Sequence, residues 1–279
     1  MPLVQVNGIQ LHYEIKGSGA PLVLIHGLGS SSADWEPQIQ HFAQHYQVIA
    51  PDLRGHARSQ QPPGPYSIPL FAADIAALLK ALSIESAHIT GISLGGAIAF
   101  QFALDHPAMV RTLTIVNSGP EMILRTLGQK LMIWQRLAII RLLGLPRMGK
   151  ILGQRLFPTP ESAAARQGVV ERFKANQRAP YLASLRSLIG WSVSERLGHI
   201  SCPTLVIAAD QDYSPVALKE AYVAKMPDAR LEVIADSRHA VPMERPEEFN
   251  RALGTFLSKA SSAGTAVAGT AGRQTLPVA

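Results

Sequence analysis

A single cysteine in 279 residues rules out an internal disulfide framework and suits a reducing compartment, so a cytoplasmic setting is expected. Cys202 itself precedes Pro203 at the head of an apolar stretch, a place for packing rather than thiol chemistry. Long apolar runs are missing too, and none would span a bilayer. The opening segment Met1-Pro2-Leu3-Val4-Gln5-Val6-Asn7-Gly8 lacks both the basic and the apolar region of a signal peptide. The formal charge of +6 comes without a recognisable nucleic-acid-binding motif, and no nucleic-acid partner is expected. Neither a cofactor nor a metal is expected, and nothing in the pattern speaks to oligomeric state. What remains is a chain of ordinary globular hydrophobicity (47%), long enough for one large α/β domain with an insertion or for two small domains.

Against those absences, His88 to Gly96 stands out. It contains Gly91-Ile92-Ser93-Leu94-Gly95, a G-x-S-x-G pattern, with an apolar segment of strand character before it (Ala87, Ile89) and a helical pattern from Gly95 to Leu104 after it. Strand, sharp turn and helix form the setting of a nucleophile elbow. The turn forces the serine into a strained backbone conformation, and glycines on either side supply bare backbone where side chains would collide. The helix N-terminus then favours developing negative charge. The competing reading is a glycine-rich turn whose serine merely caps the helix.

The rest of the chain alternates strands and helices. Val4 to Val6 and Ile9 to Ile15 have period two around Asn7-Gly8, a hairpin signal. Pro21 to His26 is a continuous apolar run, as in a strand buried on both faces. Tyr46 to Ala50 is the next strand, followed by a loop from Asp52 to Ser59. Ser67 reads as the N-cap of a helix through Leu82, with Phe71, Ile75, Leu78, Leu79 and Leu82 on one face. A strand at Val110 to Val116 follows the elbow helix. The rhythm breaks from Asn117 to Leu197, then resumes with a strand to Ala209, a helix from about Pro215 to Met226, a strand at Leu231 to Ile234 and a helix from about Pro246 to Ser258. The expected architecture is α/β, a mostly parallel sheet with helices on both faces. Its core is expected in residues 1–118 and 198–259, with a helical cap or lid at 119–197. The Ala/Gly/Ser/Thr-rich residues 260–279 are expected as a disordered tail.

A serine nucleophile needs a base, an orienting acid and an oxyanion hole. Asp210 and Asp212 lie just past the Leu205 to Ala209 strand, where carboxylates reach the crevice at strand C-termini. Of nine histidines, only His239 follows both the serine and these acids. His26 and His56 sit in turn motifs that suit structural hydrogen bonding. Two backbone N–H groups are needed for the oxyanion. Leu94, directly after Ser93, supplies one, and Leu28, after the Pro21 to His26 strand, is the natural source of the other.

These segments together resemble the α/β-hydrolase superfamily, over nearly the whole chain apart from the insertion and tail. His26-Gly27-Leu28-Gly29 is similar to its oxyanion loop. Asp52-Leu53-Arg54-Gly55-His56-Ala57-Arg58-Ser59 is similar to its D-x-R-G-x-G-x-S loop, with Ala57 in place of the usual glycine. Ala209-Asp210-Gln211-Asp212 resembles the G-E-x-D turn, with Ala209 replacing glycine. The resemblance makes Asp212 the triad acid and Asp210 a supporting carboxylate. His239 matches the histidine of the G-x-G-H segment, although Ser237 and Arg238 depart from it. Within the superfamily the likeness is to 3-oxoadipate enol-lactonase-like proteins and small carboxylesterases. It implies a cofactor-independent serine hydrolase with Ser93, Asp212 and His239 as triad, Leu28 and Leu94 as oxyanion donors, and Asp210, His26 and Gly27 in support. A serine rather than an aspartate at the elbow argues against epoxide hydrolases and haloalkane dehalogenases. The expected substrate is an apolar ester or lactone. Alternatives are carbon–carbon bond hydrolysis of a diketone by the same triad, a weakly catalytic ligand-binding receptor, and cofactor-free perhydrolase chemistry.

The insertion is strongly basic. It carries thirteen lysines and arginines against four glutamates, a net +9 that leaves −3 for the rest of the chain. Between Leu127 and Phe157 these cations interleave with Leu131, Met132, Trp134, Leu137, Ile140, Leu143 and Leu145. One reading is helices packed on the core with solvated cations. The other is a cap that lines an apolar pocket and touches an anionic membrane or an anionic substrate.

Overall fold

Asn7 and Gly8 both take positive φ (42° and 77°), the twist a two-residue hairpin needs, and join β1 (Leu3–Val6) to β2 (Ile9–Lys16). The structure is a computed structural model and describes residues 2–270. After the hairpin come β3 (Ala20–Ile25), α1 (Glu36–Phe42), β4 (Tyr46–Pro51), α2 (Ile68–Ala81), β5 (Ala87–Ile92), α3 (Leu94–Asp105) and β6 (Val110–Val116). Three helices intervene: α4 (Leu127–Leu156), α5 (Ala163–Ala175) and α6 (Arg178–Leu188). The chain then returns to the sheet with β7 (Thr204–Ala209), α7 (Val216–Val223), β8 (Ala229–Ile234), α8 (Val241–Glu244) and α9 (Pro246–Thr270).

The eight strands form one sheet in the order β1-β2-β4-β3-β5-β6-β7-β8, antiparallel at β1/β2 and β2/β4 and parallel from β4 onward. Alternation along the strands feeds two cores. Val23 and Ile25 of β3 pack with Phe71, Ile75 and Leu79 of α2 and Ile98 and Phe102 of α3. Leu22 and Leu24 pack with Trp35, with Ile39 and Phe42 of α1, and with Phe249, Leu253 and Leu257 of α9. The Ser67 hydroxyl accepts the Leu70 N–H and caps α2, as its sequence suggests.

Register decides where chemistry can occur. Ile25 stands opposite Gly91, Ile92 opposite Val116, Val116 opposite Ile207, and Ala209 opposite Ile234. The C-terminal ends of β3, β5, β6, β7 and β8 therefore line up, and the loops that follow them meet along one edge of the sheet.

The last helix runs further than its sequence pattern suggests. With almost no large apolar groups after Ala260, a disordered tail is the expectation for 260–279, yet α9 continues to Thr270. Alanine, frequent there, is the strongest helix former and needs no buried face to extend a helix already begun. Residues 271–279 of the expected tail lie outside the described residues.

Candidate active site

Ser93 takes φ 56° and ψ −115° between β5 and α3. It occupies the N-cap position, but its side chain makes no capping hydrogen bond. That excludes the reading of a serine that merely caps the helix and leaves the hydroxyl for other work. A non-glycine residue held in this region costs about 1–3 kcal/mol, so the surroundings must impose it. They do so by close approach. A Cβ on Gly91 would stand 2.1 Å from the Gly95 carbonyl oxygen, and one on Gly95 would stand 2.2 Å from the Ile25 carbonyl oxygen. The Ser93 N–H donates to Val116 O (3.0 Å), and its own carbonyl accepts from the Ser118 hydroxyl (2.7 Å).

The loop after β3 faces this serine. A Cβ on Gly27 would lie 3.4 Å from Ser93 Cβ, ordinary van der Waals contact, so the loop runs directly beside the serine. His26 is fully buried. Its Nε2 accepts the Leu53 N–H (2.9 Å), which leaves the proton on Nδ1 to donate to Gly27 O (2.7 Å). Burial holds its pKa below the ordinary value. His26 thus fastens the Gly27–Leu28 turn to the loop after β4. Leu28 is half-buried and packs against both the main core and the cap cluster. Leu94 opens α3, where the first N–H groups have no intrahelical acceptor.

His239 and Asp212 meet. Nδ1 of His239 lies 2.6 Å from Asp212 Oδ1, and the aspartate side chain is 1% exposed. The other carboxylate oxygen accepts from Lys219 Nζ (2.6 Å) and from the Ser214 hydroxyl (3.0 Å). Burial alone would raise the Asp212 pKa. The bonds to His239 and Lys219 outweigh it and hold this carboxyl well below the usual range. Asp210 does something different. Its oxygens accept the N–H groups of Ser237 and Asp236 (3.0 Å each), shaping the turn that leads into His239. The Ser237 N–H in particular keeps its pKa low.

A comparison with protein-family models matches residues 22–252 to the alpha/beta hydrolase family. The chain belongs to that family. A relative in Azorhizobium caulinodans, provisionally named the carbamate hydrolase RutD, is 33% identical over 267 residues, covering 93% of this chain and 99% of its own. A solved structure described as Est816, an N-acyl homoserine lactone degrading enzyme, is 31% identical with a TM-score of 0.79, over 91% of this chain and 100% of its own. The enol-lactonase of Burkholderia xenovorans LB400 shares the fold, with a TM-score of 0.85 at 24% identity over 92% of this chain and 100% of its own. This protein is accordingly a hydrolase. Among the described residues no helix is long and apolar enough to cross a membrane, and no group of three or more His, Cys, Asp or Glu side chains could hold a metal ion.

Three further residues of the hydrolase bear on the site without having been singled out from its sequence. Asn117, at positive φ (42°) after β6, donates from Nδ2 to the carbonyls of His239 (3.0 Å) and Arg238 (3.2 Å). Its Oδ1 accepts the Ala209 N–H (2.8 Å), so one side chain ties the histidine loop to the strand that carries the acids. An asparagine directly after an apolar strand is a recognisable signal for this conformation. Tyr213 stacks on the His239 ring with centroids 4.4 Å apart, and the Arg155 guanidinium of α4 lies 4.8 Å from the tyrosine centroid. Lys219, on α7, has no local signal at all.

Buried histidines give the hydrolase an acid-sensitive fold. Burial pushes His56 from 6.5 down to about 3 and His88 down to about 4. In the unfolded chain both take up protons near pH 6.5, so between there and pH 4 the unfolded state binds more protons than the folded one. Stability is therefore full above pH 7 and falls as pH drops through 6.5, by up to about 1.4 kcal/mol per pH unit for each ring. Urea midpoints should be level from pH 7.5 to 7 and decline from pH 7 to 5.5. A flat or rising series would contradict the assignment.

Proposed function

We propose that this hydrolase cleaves a carboxylic ester or lactone through an acyl-enzyme on Ser93, without a cofactor. The observation that carries the reading is the strained, uncapped Ser93 at the helix start. The hydrogen-bonded His239–Asp212 pair supports it, as does the likeness to a protein described as degrading an N-acyl homoserine lactone. His239 Nε2 takes the Ser93 proton as Oγ attacks the carbonyl carbon, while Asp212 holds Nδ1–H and stabilises the imidazolium. The N–H groups of Leu28 and Leu94 receive the oxyanion. The imidazolium protonates the leaving alkoxide, and water activated by His239 releases the acid and restores Ser93. The substrate is an apolar small molecule. The cap's net charge of +9 favours an anionic membrane or an anionic substrate as what the cap meets.

A panel of p-nitrophenyl esters of increasing acyl length, an N-acyl lactone, an aryl carbamate and a vinylogous diketone tests the reading, with Ser93→Ala alongside. Turnover of esters or lactones above diketone, lost in Ser93→Ala, is expected. Diketone cleavage without ester turnover would replace it with carbon–carbon hydrolysis, and labelling without turnover would replace it with a receptor.

Because both oxyanion donors are backbone groups, Leu28→Ala and Leu94→Ala should keep kcat within roughly tenfold of the parent, where losing a true donor costs about 10²–10³-fold. Leu94 is 1% exposed, so its truncation should instead cost about 2–5 kcal/mol of stability. Lys219 acts through Asp212. Lys219→Met leaves the carboxylate's charge to the imidazolium alone, so the acid limb of kcat/KM should move up. A variant with lower stability but an unmoved limb would make Lys219 structural only.

A further inference from the structure

We infer that the outer face of α4 is a docking surface for an anionic lipid bilayer. The inference gives a location to the membrane branch of the cap reading above and rests on it. Before Gly144 breaks the helix (φ 78°, ψ 173°), α4 runs as one helical arm from Leu127 to Leu143. At about 100° per residue, Leu127, Leu131, Trp134, Ala138 and Leu142 fall within a stripe roughly 80° wide. Four of them are large apolar side chains left open to water: Leu127 is 83% exposed, Leu131 59%, Trp134 68% and Leu142 81%. On the other side of the helix Ile133 and Ile140 are buried, and Ile140 packs with Phe173 of α5 and Tyr181 of α6, while Met132 and Leu143 beside them are exposed. Folding therefore does not call for the outer stripe. A continuous apolar stripe on one helix, unlike scattered exposed leucines, marks a contact surface.

Charge selects the occupant. Lys130 and Arg141 border the stripe along one side, and neither joins an ion pair among the described residues. Residues 122–160 contain no aspartate or glutamate. A second copy of this chain would bring the same cations against these, so self-pairing is opposed. An anionic bilayer supplies both what the stripe needs and what its border needs: acyl chains for the leucines and Trp134, phosphates for Lys130 and Arg141. The indole suits the headgroup boundary, with an apolar body and one polar N–H. Docking also bears on the site, because past the Gly144 break the same helix sets Arg155 on Tyr213, which is stacked on His239.

Trp134 provides its own reporter, since Trp35 is buried and the Trp191 indole is bonded to Gln101. The full chain is mixed at low salt with vesicles of phosphatidylcholine alone or with phosphatidylglycerol added, and sedimentation and tryptophan emission are read beside turnover of a soluble ester. Binding to the anionic vesicles with a blue shift, weakened by salt and by omission of phosphatidylglycerol, is expected. Leu131→Gln/Leu142→Gln should bind at least roughly tenfold less while hydrolysing the soluble ester as before. No sedimentation or no blue shift with anionic vesicles overturns the inference. So does undiminished binding of the double variant, or a dimer in the parent that the double variant dissolves. Loss of vesicle binding with ester turnover intact would sink docking alone, whereas absent turnover with binding intact would sink the hydrolytic reading alone.

Discussion

Ser93→Ala should reduce ester turnover by about 10⁶-fold, to the level that binding and the oxyanion donors sustain without a nucleophile. The loss should fall on kcat, because the hydroxyl acts in the bond-forming step. Folding should survive, since the side chain makes no capping bond and alanine retains the same Cβ. A second substitution separates chemistry from strain. Ser93→Gly should be equally inactive yet about 1 kcal/mol more stable than Ser93→Ala, because glycine occupies φ 56° without a Cβ penalty. Urea midpoints of the two variants check this, and the reverse order would mean that the elbow is not strained.

Asp212→Asn should lower kcat by about 10⁴-fold and also destabilise the fold. The amide can donate to His239 Nδ1, which then accepts and carries its proton on Nε2, the atom that must receive the serine proton. Lys219 Nζ meanwhile remains buried beside a neutral amide oxygen and the Ser214 hydroxyl and carbonyl (2.8 and 2.7 Å), with no anionic acceptor. Removing one partner of a buried ion pair costs about 3–5 kcal/mol. Asp210→Asn, by contrast, gives up one of the two hydrogen bonds accepted from the Asp236 and Ser237 N–H groups, because its amide nitrogen cannot accept, and should retain most activity. Steady-state kinetics with thermal melts on both variants distinguishes the two acids. Equal loss from Asp210→Asn, in folded protein, would contradict the division of roles.

Much of this arrangement is legible in the chain because local physics dictates it. Apolar runs such as Leu22 to Ile25 announce strands buried on both faces. The glycines around Ser93 announce the elbow because no Cβ fits between β5, α3 and β3. The order Ser93, Asp212, His239 follows from which strand ends the sheet brings together. What stays hidden depends on contacts distant in sequence. Lys219 reads as an ordinary helix cation, and only the packing of α7 beside the acid loop turns it into a partner of Asp212. Tyr213 reads as a loop aromatic until the His239 turn folds over it. The extent of α9 past Ser258 is hidden because poverty in large apolar groups signals lack of packing, which is not lack of helix. On α4 the interleaving of cations and apolar residues is visible in sequence, but which face is covered emerges only with α5 and α6 in place.

The most direct test of the serine mechanism is to quench a reaction with a slow-leaving p-nitrophenyl ester within its first turnovers and map the acyl mass by peptide mass spectrometry. The acyl group is expected on the peptide bearing Ser93, accumulating in the parent and absent from Ser93→Ala and His239→Ala. An acyl group on any other residue, or sustained turnover with no acylated peptide at all, would contradict Ser93 as the nucleophile.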